Sequence, residues 1–385
     1  MKLSLLDLVP LLEGADAATA LAQARRLAQT AEKLGYSRYW AAEHHDMPGL
    51  ACPAPEVLLA HIGAYTERIR LGSGALLLPH YKPIKVAETF RLLAALYPGR
   101  IDLGIGRAPG GSAHTSMALS GNFLENVRQL PESLRSLSAL LADEFRVEDV
   151  PVRAMPVPPA APEVWLLGTN QKSASYAAEF GTGYVFGQFM SDRDGAEVLS
   201  AYVWEFRPTS LGAVPRAIMA VSVLCADTEE EAHRLASEAK RLLQPEGGSG
   251  TDRPKPMIGT PGQVKAALEQ LQRDCDVDEF MIVTWGLITK AVFVRMNCWR
   301  TPYGELREVS AQLEPFDVLP EPFLLQNFDL LRSDQVVVRE AFAIVDIPGI
   351  QSVGFAPCNE PVHIRASDLG DRMKLREPRV EPKMG

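Results

Sequence analysis

The stretch YWAAEHHDMPG, residues 39–49, sets one carboxylate and two imidazoles side by side: Glu43, His44 and His45. An imidazole titrates near neutrality and can move a proton in acid–base catalysis. A fixed positive charge, Arg107, follows an apolar run in IDLGIGRAPGG, and its planar guanidinium suits a phosphate or a carboxylate. Asn170, Lys172 and Ser173 open a helical stretch in TNQKSAS, where first-turn N–H groups favour an anion. Each group also has a plainer reading: chance at a strand end, an ordinary ion pair, a helix cap. The choice depends on whether the fold brings them together.

The elements that carry them follow one rhythm. Short apolar runs lie at 3–9, 36–42, 69–78, 101–106, 164–168, 183–189, 217–225 and 279–284, with amphipathic stretches between them. Ala17, Leu21, Ala24, Leu27, Ala28, Ala31 and Leu34 recur at helical spacing, and Gly35 supplies the left-handed stop. Pro83 opens a helix that closes before Pro98-Gly99. Thr228 and Glu231 form a capping box, and Thr260-Pro261 sets a cap and a first-turn proline. Proline-rich residues 151–162 and the Gly/Ser/Pro-rich 247–256 read as loops.

Eight strands alternating with helices predict a parallel α/β fold, and a TIM (β/α)8 barrel of about 250 residues fits the span to Thr284. A doubly wound sheet is the alternative. In a barrel, chemistry gathers where strands end and βα loops begin. Glu43, His44 and His45 end strand two, Arg107 follows strand four, and Asn170, Lys172 and Ser173 follow strand five, so all share one rim. Strand alternation sends one of the two adjacent histidines to the barrel mouth and the other outward. The glycines of GIGRAPGG do not make a dinucleotide fingerprint. Their strand is fourth, no helix follows at once, and no acidic residue closes a strand about 20 residues on.

Composition narrows the function classes. The chain has 385 residues, 46% of them hydrophobic, enough for one large core or two smaller ones. A net charge of −9 without a basic cluster argues against nucleic acid and anionic membrane as partners. No apolar run approaches the ~20 residues of a bilayer span, and MKLSLLDLVP reads as a first strand rather than a signal peptide. The five cysteines, Cys52, Cys225, Cys275, Cys298 and Cys358, are scattered and unpaired by spacing. They suit a reducing cytoplasm and neither a disulfide framework nor a zinc site.

The segments LLDLVP, GYSRYWAAEHHDMPG, IRLGSGALLLPHYKP, VAETF and PGRIDLGIGRAPGG together resemble the bacterial luciferase-like flavin-dependent monooxygenases, in particular the single-chain branch that opens with LDLVP. The resemblance covers roughly residues 1–284. It implies a TIM barrel that uses reduced FMN, supplied by a separate NAD(P)H:flavin reductase, and O2 to oxidise a small organic substrate. A homodimer is expected with it. His44 matches the active-site histidine beside the flavin, a candidate general base, and Glu43 and His45 match its neighbours at the cofactor. Arg107 matches the arginine on the flavin phosphate, and Asn170 and Ser173 fall where relatives bind the same phosphate. Gly74-Ala75 matches a non-prolyl bond that is cis beneath the flavin ring. Leu76, Leu77, Leu78 and Trp40 are expected to help keep the pocket dry. Within the superfamily, a deazaflavin-dependent hydride-transfer enzyme is the alternative, and a flavin-binding protein without turnover is the alternative of another class. Gly106 stands where the light-emitting members carry a reactive cysteine, which argues against luminescence, and the segment following strand four is short for a substrate lid.

The rhythm fails beyond Thr284. WGLITKAVFVRMNCWRTPYG, residues 285–304, is a poor eighth helix. Met296-Asn297-Cys298-Trp299-Arg300, read one base out of phase, spells Glu-Leu-Leu followed by Ala or Glu, close to a YELLA-like stretch of the family's last helix. Gly304-Glu305 permits a stop in that shifted frame. Residues 285–385 are therefore expected to be an atypical extension without a site of their own, produced by a one-base slip after about Thr284 that replaced helix eight and ran past the native stop; a genuine C-terminal extension is the alternative.

Overall fold

In the computed structural model the described residues are 1–11, 14–243 and 256–284, together with two short strands, Gln335–Val338 and Val362–Arg365. The chain divides into two compact units, Met1–Gln312 and Leu313–Gly385. In the second, the two short strands pair antiparallel. The rest of the C-terminal extension expected from the sequence, and the helix-eight region, lie outside the described residues.

The first unit is the TIM barrel. Its strands are β1 (Lys2–Asp7), β2 (Arg38–Ala41), β3 (Arg70–Ser73), β4 (Ile101–Gly106), β5 (Glu163–Gly168), β6 (Gly183–Gly187), β7 (Ala217–Cys225) and β8 (Glu279–Thr284). Each pairs in parallel with the next, and β8 returns to β1 with Leu3 opposite Phe280. The apolar run 69–78 is not one strand. It stops at Ser73, passes a cis Gly74-Ala75 peptide, and resumes as the short strand Leu76–Leu77 against β4.

Helices cover the outside. They are α1 (Ala17–Lys33), α2 (Pro55–Gly63), α3 (Pro83–Leu96), α4 (Ala113–Ser120), α5 (Phe123–Arg128), α6 (Leu130–Leu141), α7 (Gln171–Glu179), α8 (Gly195–Glu205), α9 (Glu229–Leu243) and α10 (Pro261–Cys275). Their ends follow the sequence signals. Asp16 caps α1 and Gly35, at φ +75°, ends its turn. Thr228 accepts from the Glu231 N–H, and Thr260 with Gln263 caps α10 reciprocally.

Strand alternation divides the core in two. Leu6, Trp40, Ala42, Trp165, Val185, Ile218, Ala220, Met281 and Val283 fill the barrel interior. Leu3, Leu5, Tyr39, Ala41, Leu71, Leu103 and Tyr184 face the helices. The N-terminal end of the barrel is closed by charge. Asp102 accepts from Arg38 (2.8 Å), Arg70 (2.5 Å) and the Trp40 indole (2.9 Å). Glu279 holds Arg38 at 2.9 Å, Glu163 holds Arg216 at 2.7 Å, and both Arg38 and Arg216 lie over the Trp165 ring. Asp102, Arg38 and Glu163 each have two or more oppositely charged partners, which offsets the cost of burying them.

Candidate active site at the C-terminal rim

The rim at the other end is built from the chain just beyond β2, β3, β4 and β5. Trp40 and Ala42 point into the barrel, so continuing the alternation turns Glu43 outward and His44 back over the mouth. The His44 backbone N–H donates to the Cys52 carbonyl at 3.0 Å. Its ring nitrogen Nδ1 is buried and no protein group satisfies it. Burial, and secondarily the neighbouring His45, hold the His44 imidazole below its ordinary pKa of 6.5. His44 is thus a neutral imidazole with an available nitrogen.

Glu43, by contrast, is fully engaged by protein. Its Oε2 accepts from the Leu77 backbone N–H at 2.8 Å. Its Oε1 takes the Tyr81 hydroxyl at 2.8 Å and His45 Nε2 at 2.7 Å. Burial and the Glu43 charge push the Tyr81 phenol well above its ordinary range. His45 is tied further: its N–H donates to the Gly110 carbonyl at 2.8 Å, and its ring meets His80 edge-on. His80 in turn reaches the Pro109 carbonyl and the Ser120 hydroxyl and stacks on Phe123. Beneath this group, burial pushes the Cys52 thiol up to about 12, and Glu56, whose Oε2 is a buried orphan, is raised by burial and then by Glu43.

The cis peptide lies against glycines of β4. A side-chain Cβ at Gly106 would stand 2.9 Å from the Ala75 Cβ, and one at Gly110 would meet Leu77 at 2.3 Å. Gly110 also adopts φ +67°, which a larger residue rarely does. Both glycines let the β4 loop approach the segment following the cis bond. Of the leucines expected around the pocket, Leu76 and Leu78 pack between strands and helices, so only Leu77 approaches the β4 loop.

The third part of the rim is an anion site by its donors. Asn170 caps α7: its side chain accepts from the Ser173 N–H at 3.3 Å, while Ser173 Oγ donates to the Asn170 carbonyl at 2.6 Å. Tyr184 Oη lies 3.0 Å from Ser173 Oγ and 3.3 Å from the Asn170 carbonyl. Burial pushes the Tyr184 phenol up to about 12 against the opposing pull of the Ser173 bond, the Asn170 bond and the Arg107 charge. That pull places Arg107 within electrostatic reach of the α7 cap. Among the described residues, no hydrogen bond or ion pair holds Arg107. Lys172 is exposed and lies near the Tyr176 ring.

Two groupings therefore emerge: Glu43, His44 and His45 with the 74–81 segment, and Arg107 with Asn170 and Ser173. Sequence reasoning missed Tyr81, Gly110, Glu56 and Tyr184. None of these carries a local motif; each is recruited by the packing of a neighbouring element. The donor set suits a phosphate-bearing cofactor: an unpartnered cation, Arg107, beside the N-terminus of α7.

A family model described as luciferase-like monooxygenase matches residues 1–286. The protein YwcH of Bacillus subtilis (strain 168) is 42% identical over 311 residues, covering 74% of this chain and 93% of its own. An N-acetyl-S-alkylcysteine monooxygenase from the same organism is 37% identical over 283 residues, covering 72% of this chain and 82% of its own. Among solved structures, apo-MsnO8 superposes with a TM-score of 0.69 at 32% identity, covering 80% of this chain and 98% of that one. Among the described residues, no helix is long and apolar enough to cross a membrane.

Proposed function

Because the chain belongs to the luciferase-like monooxygenase family, we propose that it is an FMN-dependent, two-component monooxygenase that oxidises a small organic substrate with reduced flavin and O2. When bound, reduced flavin supplies two electrons, so that one oxygen atom enters the product and the other leaves as water. The observation that carries the reading is His44, whose buried Nδ1 has no protein partner. A buried polar atom without a partner is costly and is retained where a ligand uses it.

The chain's own residues have separable tasks. His44, kept neutral by burial, accepts and returns a proton at the mouth. Arg107 and the α7 N-terminus, with Asn170 and Ser173 setting its cap, bind the phosphate of FMN. Trp40 and Leu6, buried in the barrel interior below the mouth, exclude water from that side. A separate NAD(P)H:flavin reductase delivers the reduced flavin. N-acetylated S-alkylcysteines head the substrate panel, because a 37% identical relative bears that name.

Anaerobic titration with reduced FMN, followed by admission of O2 and measurement of oxygen uptake, tests the reading. Binding of reduced FMN with oxygen consumption coupled to substrate supports it. Binding of a deazaflavin alone replaces it with hydride transfer, and tight binding of oxidised flavin without oxygen uptake replaces it with a non-catalytic role.

A further inference from the structure

We propose that Glu43 is a positioning residue: it clasps the β2, β3 and β4 ends of the rim together and fixes the proton of His45 on Nε2, without itself touching the cofactor. The inference rests on the flavin reading above and adds a role for a residue that the reading leaves idle.

The geometry is a three-donor clasp on one carboxylate that is 2% exposed. Leu77 N–H comes from the segment just beyond the cis Gly74-Ala75 bond, and Tyr81 O–H comes from four residues further. His45 belongs to the β2 end and carries the clasp across to Gly110, three residues past Arg107, through its own backbone N–H. Two loops with separate tasks at the flavin thus meet on Glu43, the His44 loop and the cis-peptide segment, and the Arg107 loop is tied to them through the His45 backbone N–H.

The acceptor count fixes the tautomer. The carboxylate has no proton to give, so the 2.7 Å contact requires the proton on His45 Nε2. In the neutral imidazole, Nδ1 then carries no proton. The groups facing the clasp are Glu56 on α2, Cys52 in the preceding loop, Tyr81 and the His80 ring. None of these, among the described residues, bonds the Glu43 oxygens except Tyr81.

Glutamine at 43 is diagnostic. Its amide offers one acceptor and one donor group in place of two acceptors. The Leu77 N–H cannot give up its proton, whereas an imidazole can move its own to the other nitrogen. The Gln oxygen therefore keeps Leu77, and its NH2 faces His45 Nε2 and the Tyr81 oxygen, which must then accept. Glu43→Gln inverts His45 while preserving the clasp; Glu43→Ala removes the clasp altogether.

The test uses the full chain labelled with 15N-histidine, its His45 signals assigned by loss in His45→Gln, and separate anaerobic titrations with reduced FMN. Wild type is expected to show His45 protonated on Nε2, and Glu43→Gln to show it on Nδ1. Glu43→Ala is expected to weaken reduced-FMN binding about tenfold or more, since several bonds worth about three- to tenfold each are lost. Glu43→Gln recovers most of that loss. Should Glu43→Ala yield no folded protein, Tyr81→Phe carries the test: His45 stays on Nε2 and binding weakens about threefold. Wild-type His45 protonated on Nδ1, an uninverted Glu43→Gln, or unchanged flavin affinity in Glu43→Ala and Tyr81→Phe would overturn the assignment. A wild type that binds neither FMN nor a deazaflavin overturns the functional reading instead, and the tautomer then decides the clasp by itself.

Discussion

Arg107 offers the sharpest test of the cofactor assignment. Among the described residues it has no ion pair or hydrogen bond, yet its charge acts on Tyr184 at the α7 cap. Replacing it by alanine leaves no protein carboxylate orphaned, so the loss falls on the ligand. A charge-assisted hydrogen bond contributes about 1.5–3 kcal/mol, and ~1.4 kcal/mol is a factor of ten. Arg107→Ala should therefore raise the dissociation constant of reduced FMN by about 10- to 150-fold. Binding persists at a reduced level, because the N–H groups of the α7 first turn remain. Arg107 is only partly exposed, so most of the loss should survive at ~0.15 M salt. The assay is an anaerobic titration of reduced FMN, run beside reduced riboflavin, which has the same ring and no phosphate. The variant should bind riboflavin as the wild type does. An unchanged FMN constant, or an equal loss for both ligands, would refute the placement of the phosphate at Arg107.

His44→Ala should leave reduced-FMN binding within about twofold while product formation falls by about 10²–10⁴, as for a lost general acid–base; a larger loss in His45→Ala would reverse the two assignments. Because burial and then His45 lower the His44 pKa from 6.5, its base form persists through neutrality. The acid limb of the wild-type rate profile should then lie below that value. The associated stability is present above pH 6.5 and lost as pH falls through the folded pKa, which acid unfolding of wild type and His44→Gln can compare. Gly106→Ala sets a Cβ 2.9 Å from that of Ala75 and should destabilise by about 1–3 kcal/mol, read as a lower denaturant midpoint; an unshifted midpoint would show that the cis segment yields freely. We also propose a homodimer through the outer face of α2 and α3, where Val57, Leu92 and Leu96 are exposed, and Leu96→Glu should give monomers by sedimentation. For residues 285–385, resequencing the codons of 284–303 should reveal a helical open reading one base out of phase that ends at an early stop; its absence would remove the frame-slip reading.

The barrel was legible because its signals are local and redundant. Eight apolar runs and capped helices each point to the same parallel architecture, and the loss of any one would leave the others sufficient. The location of His44, Arg107 and Asn170 followed from topology, since a residue just past a barrel strand must lie on the rim. Their partners did not follow. Leu77 reaches Glu43 through a backbone N–H, which has no side-chain identity to read. Tyr184 serves the α7 cap from β6, eleven residues beyond Ser173, and in sequence it is merely one aromatic of a buried strand.

The two ends of the barrel show why a single scaffold can carry both strength and chemistry. At the N-terminal end, Asp102 alone collects Arg38, Arg70 and Trp40, and positive and negative groups answer one another across five strands. There, removing one partner strands a buried charge, so variants act through stability. At the C-terminal end the balance is deliberately incomplete. Glu43 is saturated by its three donors, while His44 Nδ1 and Glu56 Oε2 remain orphans and Arg107 has no counter-ion among the described residues. Saturation at Glu43 holds the loops still, and incompleteness at His44 and Arg107 leaves proton-handling and charge for a ligand to complete. A flavin bound at this rim would thus be stabilised by groups that the folded chain leaves unsatisfied, held in place by one that it satisfies completely.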